Sequence, residues 1–357
     1  MAYLDSTTWN DIQDTMASDI ARRPKLGLVD MIKDGTPFVD FLSPSAKQKL
    51  SELSSTRNIN IPYLKDQDIT VVSTPGFDFI PDNLEETGTY NFNVYDVFSG
   101  YRHYPSHYEG NVIDSDAARN SKMLNVAYKM GQTVSSIIAA RLEERKTQKL
   151  DYLTQINQGD GTYVFDAGLT NTLSVNKLGQ KETMFSNLTQ LMSANKVGGN
   201  YRIATNPAGL TVQKLEALKF GQSNTKNLQA LGFFSADQMY ESHEISGGTD
   251  VFNGWLVRDG AIGLHENYPF DFRQGTELKG MKWSISDVEI PFTRMKANIW
   301  TNSEATNSNS MINGDSNGIM STFEEQAIWT RFYIVYKVND DLVNRSNDIV
   351  KIKGLTT

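Results

Sequence analysis

The stretch DSDAARNSKMLNVAYKMGQTVSSIIAARLEERKTQKLDYLTQI, residues 114–156, decides what kind of molecule this chain builds. Apolar residues recur at Met123, Ala127, Met130, Val134, Ile137, Ile138, Leu142, Leu150, Leu153 and Ile156. That is helical spacing, with Asp114 or Asp116 as the cap. About 40 residues at 1.5 Å each predict a rod of roughly 60 Å. Gly131 is its weak point and the predicted place of a bend. The apolar stripe is not a sustained heptad, and a helix of this length does not fit a compact globule of 357 residues.

Working back from the helix, residues 67–113 are of β type. DITVVSTP and TGTYNFNVYDVFSGYRHYP alternate apolar and polar positions, with Tyr90, Phe92 and Val94 on one face. Gly76, Pro81, Gly88, Gly100 and Pro105 punctuate this stretch. It reads as a long two-stranded ribbon, which is marginal alone and requires a partner surface. Before it, STTWNDIQDTMASDIA and PSAKQKLSELSS are short helical segments, separated by Pro24, Gly27 and Gly35.

Working forward, the pattern becomes α+β. DGTYVF follows a turn at Asp160–Gly161, MFSNLTQLMSAN (184–195) is helical, and YRIATN (201–206) is a strand. Pro207 opens the helix PAGLTVQKLEALKF at the first-turn position that proline favours. DQMYESHEI, FNGWLVR and AIGLHEN are strand-like. MKWSISDVEIPFTRMKANIW (281–300) and QAIWTRFYIVYKV (326–338) predict two long strands joined by a polar loop, and the tail 342–357 reads as polar and partly mobile. There is no internal repeat.

Composition narrows the function classes. Hydrophobic residues make up 39%, charged residues 21% and aromatics 10%, which fits a folded chain and not a disordered one. The net charge of −8 is spread along the sequence. The richest basic stretch, RLEERKTQK (141–149), also holds Glu143 and Glu144. A dedicated nucleic-acid binder needs a net positive footprint, which is missing. The absence of cysteine excludes disulfides, thiolate metal sites and cysteine nucleophiles. MAYLDSTTWND lacks the pattern of a signal peptide. No apolar run approaches the roughly 20 residues that span a bilayer. The expectation is a soluble protein made in a cytosol, with no membrane partner.

Few residues offer chemistry. WLVRDGAIGLHE (255–266) gathers Arg258, Asp259, His265 and Glu266, but Asp259–Gly260 between two apolar alternations is a hairpin signal. HYPSH places His103 and His107 four apart, a metal spacing only on a helix; Pro105 and the β-type flanks predict exposed ribbon histidines instead. NGDSNGIMSTFE (313–324) has calcium-loop spacing, with Asn313, Asp315 and Asn317 as oxygen ligands, Gly318 at the turn and Glu324 at the bidentate place. Against calcium, Asn replaces the first Asp and the preceding TNSEATNSNS is not helical. The pairs Glu85–Glu86, Glu324–Glu325 and Asp340–Asp341 diverge on a strand and form no acid/base pair. There is no phosphate loop, nucleophile elbow or dinucleotide fingerprint. Met123 and Met130 read as helix core. No catalytic residue, cofactor or firm metal site is predicted.

An opening segment, a long β-ribbon, one long helix, an α+β region and closing long strands come in an order that resembles the major capsid protein of tailed bacteriophages, the Hong Kong 97-type fold. YRIATNPAGL leading into a helix, and VFNGWLVRDGAIGL with its turn, carry the local likeness. The resemblance implies an α+β tailed-phage capsid fold with an N-terminal arm (1–50) and an extended β-loop (67–113). It implies a long spine helix in a peripheral domain (51–66, 114–159 and 281–341), an axial α+β domain (160–280) and a C-terminal tail (342–357). It implies no enzyme activity, self-assembly into pentamers and hexamers, enclosure of double-stranded DNA without specific binding, and residence in the virion capsid after assembly in the host cytoplasm. Portal and decoration proteins are implied partners. Because only about 66 residues precede the ribbon, a separate scaffold is expected. No lysine lies between Lys65 and Lys122, so a non-covalent shell is expected. Exposed aromatics and arginines anchor interfaces, which selects Tyr90, Phe92, Tyr95 and Tyr101 on the ribbon and Arg22 and Arg23 in the arm. Two alternatives are an encapsulin-like nanocompartment shell and a soluble carbohydrate-active hydrolase.

Overall fold

A computed structural model describes residues 14, 16–34, 43–52, 59–64, 87–108, 114–146, 163–166, 172–175, 188, 200–209, 211, 239–245, 253–266, 277–278, 281–282, 284–305, 323–338 and 348–354. The helices are α1 (Ala17–Arg22), α2 (Gly27–Asp34), α3 (Pro44–Glu52) and α4 (Ser115–Arg145). The strands are β1 (Ile59–Leu64), β2 (Thr87–His103), β3 (Tyr163–Asp166), β4 (Thr172–Val175), β5 (Tyr201–Thr205), β6 (Met239–Glu241), β7 (Asn253–Arg258), β8 (Ile262–Glu266), β9 (Glu277–Leu278), β10 (Met281–Lys282), β11 (Ser284–Ile290), β12 (Met295–Ala305), β13 (Phe323–Val338) and β14 (Ile349–Gly354).

The sequence FEEQAIWTRFYIVYKV of β13 is rich in β-branched and aromatic residues, as a strand buried on both faces must be. Ile328, Phe332, Ile334 and Tyr336 belong to the main core, while Tyr333 and Val335 pack on the opposite face with Ala46, Ile61 and Phe92. Its two edges are filled as well. β2 pairs antiparallel with it from Glu324↔His103 to Val338↔Thr89. β12 takes the start of the other edge and β8 the end. The sheet order is β1-β2-β13-β12-β11, with β8 on β13.

This arrangement corrects three sequence readings. Residues 87–103 are an interior strand of the subunit and not a free ribbon. Residues 281–300 are not one strand: β11 and β12 form an antiparallel hairpin that folds back at residues 291–294. Pro291 lacks the amide needed to extend the ladder, and Phe292 and Arg294 adopt positive φ angles of 76° and 51°. Finally, β7 and β8 are not a hairpin. Ala261 N donates to Arg258 O at 3.1 Å across the tight turn, with Gly260 at φ 84°, but β7 already has β5 and β14 on its edges. With no free edge on β7, the chain leaves one sheet for the other.

The second sheet has the order β3-β4-β14-β7-β5-β6. Its centre is β14, IVKIKG, with Ile349, Val350 and Ile352 at 3% exposure or less. The sequence reads the tail 342–357 as polar and partly mobile; within it, residues 349–354 supply a strand between β4 and β7.

Helix α4 lies across β2 and meets α2 and β14. It buries Met123, Leu124, Ala127, Tyr128, Met130, Gly131, Val134, Ser135, Ile138 and Leu142. Its 31 residues span roughly 46 Å at 1.5 Å each, shorter than expected. It ends because Lys146 turns extended, at φ −58° and ψ 151°; residues 147–156 lie outside the described set. Helix continues through Gly131. A Cβ there would stand 2.6 Å from Leu26 Cδ1 and 2.9 Å from Thr293 Cγ2, so this glycine permits close approach.

The opening segment is also less of an arm than its sequence suggests. Leu26, Leu28, Val29 and Met31 are 2% exposed or less. Helix α2 sits between the sheets, touching β8 of the first, β5 and β6 of the second, and α4. At Gly27 a Cβ would lie 2.4 Å from the Glu241 carbonyl oxygen, which backbone cannot yield easily. Gly27→Ala is therefore expected to destabilise by about 1–3 kcal/mol, despite alanine's better helix propensity. Thermal unfolding checks this: an unchanged or raised midpoint would show that the contact is slack.

Candidate assembly surface

The four ribbon aromatics divide between the faces of β2. Phe92 is fully buried against Tyr333, Val335, Ile61 and Ala46, and Tyr90 packs partly buried beside it. Tyr95 stacks on Phe332 with ring centroids 5.6 Å apart and receives a hydrogen bond from Arg141. Tyr101 donates to Gln326, and burial pushes its hydroxyl pKa well up. Phe92 is thus committed to its own subunit and presents nothing to a neighbour. Arg22 is exposed, 4.0 Å from Asp19. Arg23 donates to Asn125 Oδ1 at 2.6 Å and lies 5.3 Å from the Tyr128 ring centroid.

Sequence reasoning missed the side chain that is most available. Phe98 is 48% exposed and is the exposed large apolar residue among those described. It stands directly across from Trp329 on β13. Trp329 Nε1 donates to Asp96 Oδ1 at 3.2 Å, and Arg331 Nη2 donates to Asp96 Oδ2 at 2.9 Å. The Arg331 guanidinium lies 5.4 Å from the Trp329 ring and Trp300 lies 6.0 Å on its other side. Aromatic and arginine side chains held in place by their neighbours suit an interface, because little rotamer freedom is left to lose. The available signal was the even-numbered face of β2, where Asp96, Phe98 and Gly100 break the apolar run set by Phe92 and Val94.

The candidates for chemistry are otherwise engaged. Arg258 and Asp259 point apart: Arg258 pairs with Asp348 at 3.2 Å and Asp259 with Arg202 at 2.9 Å. Glu324 is held 3.6 Å from Arg119, and Glu325 lies 3.9 Å from Arg102. Asn313, Asp315 and Asn317 lie outside the described residues. The carboxylate that a calcium loop would need at Glu324 is thus already bound to a guanidinium.

His103 was expected to be exposed and is 1% exposed. The ring stacks on Tyr108, and its Nε2 is 2.8 Å from Ser115 Oγ at the start of α4. A serine beside a histidine is a nucleophile pattern, but His103 Nδ1 is buried with no hydrogen-bond partner, so no acid orients the ring. The pair fastens the start of α4 to the end of β2. His107, as a side chain, lies outside the described set. Among the described residues no group of three metal-ligating side chains converges, and no helix is long and apolar enough to cross a membrane.

No protein-family model matches the chain, and no curated protein matches it. Solved structures to which it is similar include the capsid of cyanophage P-SCSP1u, at 9% identity over 85% of each chain with a TM-score of 0.45. A Mycobacterium phage Che8 structure is 9% identical over 89% of this chain and 91% of that one, with a TM-score of 0.46. The capsid asymmetric unit of cyanophage Pam1 is 9% identical over 87% of each chain, with a TM-score of 0.44. All three are phage structures.

Burial lowers the pKa of His103, reinforced by Lys122 and Arg119 and opposed by Glu324 and Asp116. Burial likewise lowers that of His265, opposed by Glu266. The unfolded chain takes up these protons at the ordinary value of 6.5 while the folded chain does not. Stability is therefore complete above that value and falls as pH drops through it. Urea midpoints should decline between about pH 7 and about pH 5. They should decline less steeply in the His103→Gln/His265→Gln variant; equal slopes in both proteins would remove the histidines from the explanation.

Proposed function

We infer that this chain is the major capsid protein of a tailed bacteriophage, a shell subunit that assembles with copies of itself into hexamers and pentamers. The observation that carries this reading is α4, a 31-residue helix laid across a six-stranded sheet whose two longest strands have 17 and 16 residues, with a separate mixed sheet beside it. A long helix and long strands give an elongated body with a high ratio of surface to core. Repeated contacts with identical neighbours are a physical use for that surface. Phe98 with Trp329 is one face for such a contact.

In this reading the shell encloses double-stranded DNA without gripping it, as the net charge of −8 favours. Scaffold, portal and decoration proteins are the expected partners, and the virion is the place of residence. The reading does not depend on calcium at Asn313, Asp315, Asn317 and Glu324, of which Glu324 lies 3.6 Å from Arg119. An encapsulin-like shell shares the architecture and differs in its cargo. A carbohydrate hydrolase needs two free carboxylates facing across a cleft. Among the described residues, Asp30, Asp34, Asp96, Asp259, Glu266, Glu324 and Asp348 are each engaged by a cation, which disfavours that role for these seven.

Velocity sedimentation and negative-stain microscopy of the purified protein test the reading. Closed shells, or rings of five and six, are expected, with DNA inside particles taken from infected cells and an enzyme cargo there if the encapsulin reading is correct. Phe98→Ser should fold with stability within about 0.5 kcal/mol of the parent, yet assemble at higher concentration. A 40.0 kDa monomer under every assembly condition would end the shell reading.

A further inference from the structure

Helix α2 is attached to the two sheets in different ways. Toward the second sheet the attachment is mainly through backbone groups, with one ion pair, Lys25–Glu241 at 3.1 Å, beside them. Leu26 bridges Ser242, His243 N donates to Lys25 O at 3.0 Å, and Lys25 N donates to His243 Nδ1 at 3.0 Å. Gly27 lies in contact with the Glu241 carbonyl, where no side chain would fit. Toward the first sheet the polar contacts are ionic. Lys33 pairs with Glu266 on β8 at 2.8 Å and also donates to the Arg294 carbonyl. Arg294, in the β11–β12 turn, pairs with Asp34 at 2.8 Å and Asp30 at 3.2 Å.

Three further features sit at the same junction. At β7–β8 the chain crosses from the second sheet to the first within three residues, Asp259, Gly260 and Ala261, with Gly260 at φ 84°. A small cleft of about 10 Å³, room for about one water, is lined by Met31 and Ile32 of α2 and by Val257, Gly260 and Ile262. The turn that receives the aspartates is strained, since Phe292 and Arg294 hold positive φ angles that only surrounding contacts maintain.

We propose that α2 is a clasp: it is rooted in the second sheet and latched to the first by Lys33–Glu266 and Arg294–Asp30/Asp34, and releasing the latch lets the sheets rotate about residues 259–261. Backbone hydrogen bonds and a close glycine contact have no alternative partner, whereas part-exposed ion pairs exchange readily for water and salt ions. The break therefore falls between α2 and the first sheet. Relaxation of the strained turn favours the released state. The proposal concerns the subunit, and holds whether or not the subunit forms shells.

The test changes only the first-sheet side, with Arg294→Gln/Glu266→Gln, so that α2 keeps its sequence. The chain has no cysteine, so spin labels can be placed at Glu289→Cys and Lys353→Cys, one on each sheet, and diluted into unlabelled protein. The parent should give one narrow distance, and the latch variant a broadened or second one. Hydrogen exchange in the same variant should rise about tenfold around residues 259–261 and 291–295, while residues 25–32 and 239–245 stay protected. Single replacement Arg294→Lys, which keeps the charge, should behave as the parent. An unchanged distance in the latch variant would overturn the proposal. So would faster exchange across residues 25–32 and 239–245, because the helix would then be rooted elsewhere.

Discussion

Both edges of β13 are occupied and both faces are packed from Phe332 to Tyr336, and the rest of the structure is arranged around that constraint. β2 runs along one edge for its whole length, β12 and β8 divide the other, α4 packs on one face and Ala46 of α3 on the other, beside Ile61 and Phe92. A strand so enclosed must be apolar on alternate and intervening positions alike, which is the composition from Phe332 to Tyr336. Removing one large buried aromatic such as Phe332 from such a setting costs about 3–5 kcal/mol, a large share of the stability of an ordinary domain.

The polar contacts do a different job. A part-exposed ion pair contributes about 0–1 kcal/mol, so Lys33–Glu266 or Arg258–Asp348 adds little to the total. Such pairs choose between orientations of bodies already formed. Several gather where the chain changes sheets, at Asp259, Asp348, Glu266 and Arg294, while Arg331–Asp96 and Arg102–Glu325 join β13 to β2 across the ladder. The His103–Ser115 contact belongs to the same class of junction, tying the end of β2 to the first turn of α4.

How much of this was legible depends on whether the deciding partner is near in sequence. Helix α4 and the long strands β2 and β13 were readable because their patterns are local and sustained. β14 was read as a loose tail: IVKIKG is six residues long, and its neighbours Asn253–Arg258 and Thr172–Val175 lie roughly a hundred residues or more away. The Asp259–Gly260 turn was found, but the hairpin inferred from it failed because β7's edges were filled by distant strands. Helix α2 looked like part of an arm because eight residues carry little periodicity, and its burial comes from two sheets at once. Phe98 was overlooked for the reverse reason. Its exposure follows from which face of β2 lies bare, a fact about neighbours that alternation alone does not contain.

The account rests on β2 being paired with β13 of its own chain. Cysteines at Ser99 and Ile328, which are directly opposite in the ladder, test that in an otherwise cysteine-free protein. Oxidation followed by a non-reducing denaturing gel should give a single band at the monomer mass of 40.0 kDa, with both thiols consumed. A ladder of dimers and higher species formed through the same two cysteines would mean that residues 87–103 pair with a neighbouring subunit, and would contradict the architecture described.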